Sequence, residues 1–149
     1  MAKVRAVPEG YHTVTPFLSV NGASDAIAFY KKAFGATELY RLEMPGGKIG
    51  HAELQLGDSR IMLADEAPDV PGAATSPRSL GGTSFGLLIY LENVDARFKQ
   101  AERRLTRLQP AMTVVGDLKA RPGDNLLGLL AGTGLRGRVG RTASAWPRR

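Results

Sequence analysis

The chain has no cysteine, which excludes disulfide bridges and thiolate chemistry together. Histidine is almost as scarce, with His12 and His51 alone. Long apolar runs are missing too. The two longest lie around residues 85–91 and 126–131, far short of the ~20 residues that span a bilayer. The opening MAKVRAVPEGYH has no apolar run of the signal-peptide kind. A cytoplasmic location and no membrane partner are therefore expected. Acidic residues are absent from the last stretch: all 14 precede Gly132, whereas Arg136, Arg138, Arg141, Arg148 and Arg149 follow it. Those five arginines supply nearly all of the +6 formal charge, so the body of the chain shows no basic face for nucleic acid, and nucleic acid is an unlikely partner. No Ser-His-Asp order appears, and PGGK at Pro45–Lys48 is a hairpin turn with no helix after it to cradle a phosphate.

What is present is an ordinary globular composition, 43% hydrophobic and 23% charged over 149 residues, enough for one domain with a real core. HTVTPFLSV alternates with period two, placing Val14, Leu18 and Val20 on one face and Thr13, Thr15 and Phe17 on the other. After the break NGAS, with Ser24 or a neighbour as N-cap, DAIAFYKKAFG carries Ile27, Tyr30, Lys31 and Phe34 at helical spacing. Gly35 stands where a helix C-terminus needs it. ATELYRLEM, KIGHAELQL and RIMLAD then read as strands separated by the turns PGG and GDS. Residues 67–82, rich in Pro, Gly, Ser and Ala, have the composition of a linker.

Beyond the linker the pattern restarts. TSFGLLIYL is an apolar strand, Asn93 can cap the helix VDARFKQAERRL, and PAMTVV and NLLGLLA are strand-like. Two β-α-β-β-β units suggest an internal repeat. The expected layout is a single domain over 1–132, with modules at about 10–66 and 83–132. An Arg/Gly-rich segment of no regular period follows over 133–149.

The run YHTVTPFLSV to GKIGHAELQLGDSRIMLADE, continued by LGGTSFGLLIYLENVDARF, resembles the PhnB-like branch of the vicinal-oxygen-chelate superfamily. That superfamily also holds glyoxalase I, bleomycin-resistance proteins and extradiol dioxygenases. The resemblance implies an α+β fold of two βαβββ modules, their mixed sheets curled around a cavity, within a homodimer. It also implies a turn of DPFGH type and a last strand near the C-terminus. GTGLRGRVGRTASAW stands in that place, which motivates the hypothesis of a changed reading frame near Gly132. A gene sequence restoring the turn in another frame would support it, and the absence of such a frame would count against it.

Alternation along the third strand sends Ala52, Leu54 and Leu56 to the helix and His51, Glu53 and Gln55 to the cavity. Thr13, Thr15 and Phe17 from the first strand, and Met62 and Ala64 from the fourth, should join them. A pocket lined by Thr13, Thr15, Phe17, His51, Glu53, Gln55 and Met62 suits a small organic ligand with polar groups. His51 and Glu53 are the candidate general bases, Glu53 because burial could raise its pKa toward neutrality. The positions at which metal-dependent relatives hold a divalent ion align with Thr15, Met62 and Gly86, none of them a usual ligand. No cofactor is expected on that ground. His12, His51 and Glu53 form the alternative divalent-metal set. Sequestration of a ligand is the leading function. A metal-dependent lyase, isomerase or dioxygenase, or a non-catalytic structural dimer, are the alternatives.

Overall fold

The computed structural model describes residues 5–93, 96, 99–101, 103, 113–115 and 126–130. It divides into two compact units, Met1–Ser76 and Pro77–Arg149. In the first, β1 (Phe17–Val20), α1 (Ala23–Phe34), β2 (Thr37–Glu43), a 3₁₀ turn (Pro45–Gly47), β3 (Ile49–Leu56) and β4 (Ser59–Asp65) follow one another. The sheet order is β1-β4-β3-β2. β4 lies parallel to β1 and antiparallel to β3, which is antiparallel to β2. A parallel pair needs a long crossover, and here it comprises α1 and the β2–β3 hairpin. This is the curled, unclosed βαβββ module of the glyoxalase fold.

The core forms where α1 meets the sheet. Ala26, Ile27, Phe29, Tyr30, Ala33 and Phe34 are buried on the helix, as are Leu18, Ala52, Leu54, Ile61 and Leu63 on the strands. Phe29 and Phe34 meet edge to face at 5.4 Å, a favoured aromatic geometry. Burial pushes the Tyr30 phenol well above its ordinary pKa, so it stays neutral inside the core. The helical stripe expected from sequence needs one exchange. Phe29 is in the core, whereas Lys31 points outward to Glu38, 3.0 Å away, which also accepts from Arg41 at 2.6 Å.

The helix ends in the expected way and begins in an unexpected one. Gly35 adopts a left-handed φ of 73°, and the N–H groups of Gly35 and Ala36 bond the carbonyls of Lys31 and Tyr30, the first of these being the bond of an αL cap. At the start no local side chain caps α1, so Ser24 does not serve. Instead Asp65, from the end of β4, accepts the N–H groups of Gly22 and Ala23 at 2.9 Å each with one oxygen. Its other oxygen accepts Ile49 N–H at 2.8 Å. One carboxylate thereby joins the helix N-terminus to two strands, and a negative charge there also suits the helix dipole.

Two further expectations change. β1 begins at Phe17, not near His12. Pro16 lacks an amide donor, although its carbonyl accepts Met62 N–H at 2.9 Å, and residues 11–15 run without strand pairing, leaving Val14 81% exposed. The early part of the expected linker is fastened to the module. Ser19 Oγ donates to the Ala74 carbonyl at 2.6 Å, and Glu66 accepts both Asn21 Nδ2 and the buried Ser76 N–H.

In the second unit, α2 (Pro77–Leu80) precedes β5 (Gly86–Tyr90), β6 (Thr113–Val115) and β7 (Leu126–Leu130). Helical residues at 96, 99–101 and 103 follow Asn93, whose carbonyl accepts Ala96 N–H. The strand order is β5-β7-β6, all antiparallel. In the first unit β4 separates β1 from β3, but β7 pairs directly with β5. No slot is left between them for an inserted strand. The segment 133–149 and the family turn expected there lie outside the described residues.

Candidate ligand site on the inner sheet face

Strand register decides which side chains of the first unit become neighbours. Tyr40 pairs with Glu53, Glu53 with Met62, and Met62 with Phe17. These four residues make one row across β2, β3, β4 and β1, on the face turned away from α1. Beside them Leu42 pairs with His51, and Gln55 pairs with Arg60. Alternation on β3 holds as read: Ala52 and Leu54 are fully buried under the helix, while His51, Glu53 and Gln55 are half-buried on the other face.

The row is aromatic at both ends and charged in the middle. The Phe17 ring stacks on His51 with centroids 5.9 Å apart and planes 19° apart, and Tyr40 leans on the same imidazole at 6.1 Å. Phe17 and Tyr40 remain 53% and 50% exposed. Glu53 is held from two sides: Oε1 lies 3.3 Å from His51 Nε2, and Oε2 accepts the Tyr11 hydroxyl. Above this, the Arg60 guanidinium sits 4.3 Å from the centre of the Tyr11 ring, a cation–π contact. Arg60 Nε also donates to Gln55 Oε1 at 3.3 Å, and Gln55 Nε2 donates to the Gly57 carbonyl at 2.8 Å.

This geometry overturns the expected electrostatics of Glu53. The Tyr11 hydroxyl holds its carboxyl below the usual range, and His51 and the charge of Arg60 act in the same direction. Burial pushes the other way and is outweighed. Glu53 is therefore an anionic acceptor near neutral pH and a poor general base, because its affinity for a proton has fallen.

Phe17, His51, Glu53, Gln55 and Met62 lie on one face, as read from the strand pattern. Thr13 and Thr15 precede β1. Thr13 is exposed, and Thr15 Oγ1 donates to the His12 carbonyl at 3.4 Å. His12 is itself exposed. Among the described residues no three His, Cys, Asp or Glu side chains gather to hold a metal ion, so His12, His51 and Glu53 do not form the alternative triad. Thr15, Met62 and Gly86 offer a hydroxyl, a thioether and no side chain. That donor set does not fit a divalent ion.

Tyr40, Arg60 and Tyr11 were not among the residues expected at the site. The first two could have been found, since each sits at an inward position once the register of β2 and β4 is known. Tyr11 carries no such signal, because it reaches Glu53 from a segment without periodicity.

A βαβββ module with this strand order is that of the glyoxalase fold, here with a mixed polar and aromatic inner face. Residues 17–66 match the family described as glyoxalase At5g48480-like, N-terminal domain. The chain is 42% identical over 89 residues to Rv0887c of Mycobacterium tuberculosis, a match covering 59% of this chain and 52% of the relative. It thus spans about half the length of that relative. The Arabidopsis thaliana At5g48480 gene product is similar at 26% identity with a TM-score of 0.51, covering 74% of this chain and 81% of that one. The PhnB protein from Bacillus cereus shares the fold at 19% identity and a TM-score of 0.52, covering 83% and 95%. Among the described residues no helix is long and apolar enough to cross a membrane.

Proposed function

We propose that this protein binds a small aromatic ligand on the inner sheet face of its first module, without a metal of the family type, as a cytoplasmic homodimer. One observation carries the reading. Two half-exposed aromatic rings, Phe17 and Tyr40, flank an imidazole that is bonded to an anionic carboxylate. Apolar walls open to water beside a few fixed polar groups are the usual make-up of a ligand site. Burial against Phe17 and Met62 supplies affinity. His51, Glu53 and Gln55 orient the ligand, and Glu53 favours a hydrogen-bond donor over an anion.

The test is calorimetric titration of the protein with 2-naphthol, a flat molecule bearing one hydroxyl donor, beside 2-naphthoate. Saturable binding of 2-naphthol and weaker binding of the anion are expected. His51→Ala removes the ring between Phe17 and Tyr40 and should weaken binding about tenfold, while Tm falls by no more than about 4 °C. A large loss of Tm with unchanged affinity would show that His51 only supports the sheet. Elemental analysis after exposure to Zn²⁺, Mn²⁺, Fe²⁺ and Ni²⁺ decides the metal question. Stoichiometric metal that vanishes in both His51→Ala and Glu53→Ala would replace this reading with a metal-dependent enzyme acting on vicinal oxygens.

A further inference from the structure

The segment before β1 reaches back over the inner face. Tyr11 N–H donates to the Pro8 carbonyl, and Gly10 takes a left-handed φ of 78°. That turn sets the Tyr11 side chain between Arg60 and Glu53. The fit against Arg60 is tight: a Cβ on Gly10 would lie 2.4 Å from a guanidinium nitrogen. Nothing in residues 8–15 pairs with a strand, so the hold on this stretch includes no sheet ladder.

Both oxygens of Glu53 already have intramolecular donors, His51 on Oε1 and Tyr11 on Oε2. Each oxygen keeps a second lone pair, but the Glu53 side chain is only 19% exposed, so a ligand that donates to Glu53 competes with one of them for access. His51 is anchored by β3 and ringed by Phe17 and Tyr40, whereas Tyr11 sits on the unpaired segment. The phenol of Tyr11 is also the group that a hydroxyl-bearing aromatic would best imitate.

Resting on the ligand-binding reading above, we infer that Tyr11 is a built-in placeholder whose hydroxyl is exchanged on Glu53 Oε2 for the hydroxyl of a phenolic ligand, releasing the segment around residues 8–15. The hydrogen bond to the carboxylate is then conserved, O–H for O–H. The remaining cost is the loss of the Arg60–Tyr11 contact, offset by the freedom regained by the strap. Phenols are selected over their methyl ethers, which cannot donate, and over carboxylates, which Glu53 repels. The placeholder also keeps Oε2 of the half-buried carboxylate supplied with a donor when the pocket is empty.

The experiment compares 2-naphthol with 2-methoxynaphthalene on the whole chain and on Tyr11→Phe, which keeps the ring beneath Arg60 and deletes only the competing hydroxyl. Tyr11→Phe should bind 2-naphthol about tenfold more tightly and bind the ether no differently from the unmodified chain. In the unmodified chain, 2-naphthol should speed amide hydrogen exchange over residues 8–15, a readout that stands even if the variant folds poorly. Weaker or equal binding of 2-naphthol by Tyr11→Phe, or slowed exchange, overturns the inference. If in that case His51→Ala still abolishes binding, the ligand site stands and only the exchange falls. If neither probe binds either form, both fall together.

Discussion

At the scale of single residues, the chemistry of the site follows from what surrounds Glu53. A carboxylate that accepts from Tyr11 and His51, with Arg60 nearby, is more stable ionised than it would be in the unfolded chain. Its folded pKa is therefore lowered from an ordinary value near 4.5. The sign follows by linkage. Stability from this group is fully present above the unfolded value and is lost as pH falls through the lower folded value. Glu53→Gln should lower stability at pH 7, and the gap to the unmodified chain should close on acidification below the ordinary carboxylate range. Urea midpoints measured from pH 7 down to pH 3 check this. A gap that widens in acid would mean that Glu53 is protonated in the native state. The Glu38 carboxylate is lowered by its bonds to Arg41 and Lys31 in the same way, so the Glu53 effect must be read as a difference between variant and parent.

At the scale of elements, α1 shows how local signals and distant contacts divide the work. Its C-terminus is written locally, because the left-handed turn after Phe34 favours glycine. Its N-terminus is not, because the acceptor for its free amides arrives from β4, 42 residues further along for Ala23. Asp65→Ala would leave three amides, two of them part-buried, without that partner and should cost about 2–3 kcal/mol. Asp65→Asn, which keeps one oxygen acceptor, should recover part of the loss. Denaturant unfolding followed by far-UV circular dichroism measures both. A loss below about 0.5 kcal/mol in Asp65→Ala would place Asp65 among ordinary surface residues. The strand β3 is the converse case. Its alternation alone sorted Ala52 and Leu54 from His51, Glu53 and Gln55, because both sides of the sheet differ sharply in polarity.

At the scale of the whole molecule, the exposed apolar side chains are numerous, including Val14, Phe17, Leu39, Leu42 and Met44 in the first unit and Phe85, Leu88 and Tyr90 in the second. Such surface is costly to leave in water, and the proposed homodimer would cover part of it. Sedimentation equilibrium should then give twice the chain mass of 15.9 kDa. A single-chain mass at all accessible concentrations would sink the dimer. The second unit differs from the first in a way that matters at this scale. With β7 paired directly to β5, the strands described there number three against four in the first unit, and the inner-face chemistry argued above belongs to the first unit.

By itself the sequence determined the kind of module, the ends of most strands, the helix stop at Gly35, and the split of β3 into a core face and a site face. These are matters of short-range pattern: period two, helical spacing, and the backbone needs of a turn. Only the tertiary structure decided that Tyr11 and Arg60 converge on Glu53 and Gln55, that Tyr40 and Phe17 flank His51, and that Asp65 caps α1. Apart from Arg60 and Gln55, which face each other across a tight turn, these contacts join separate stretches of the chain through strand register or through a segment without periodicity. The pKa of Glu53 belongs to the same class. Burial alone argued for a rise, and the hydroxyl brought in by Tyr11 made it a fall, because a bond to the charged form outweighs partial desolvation.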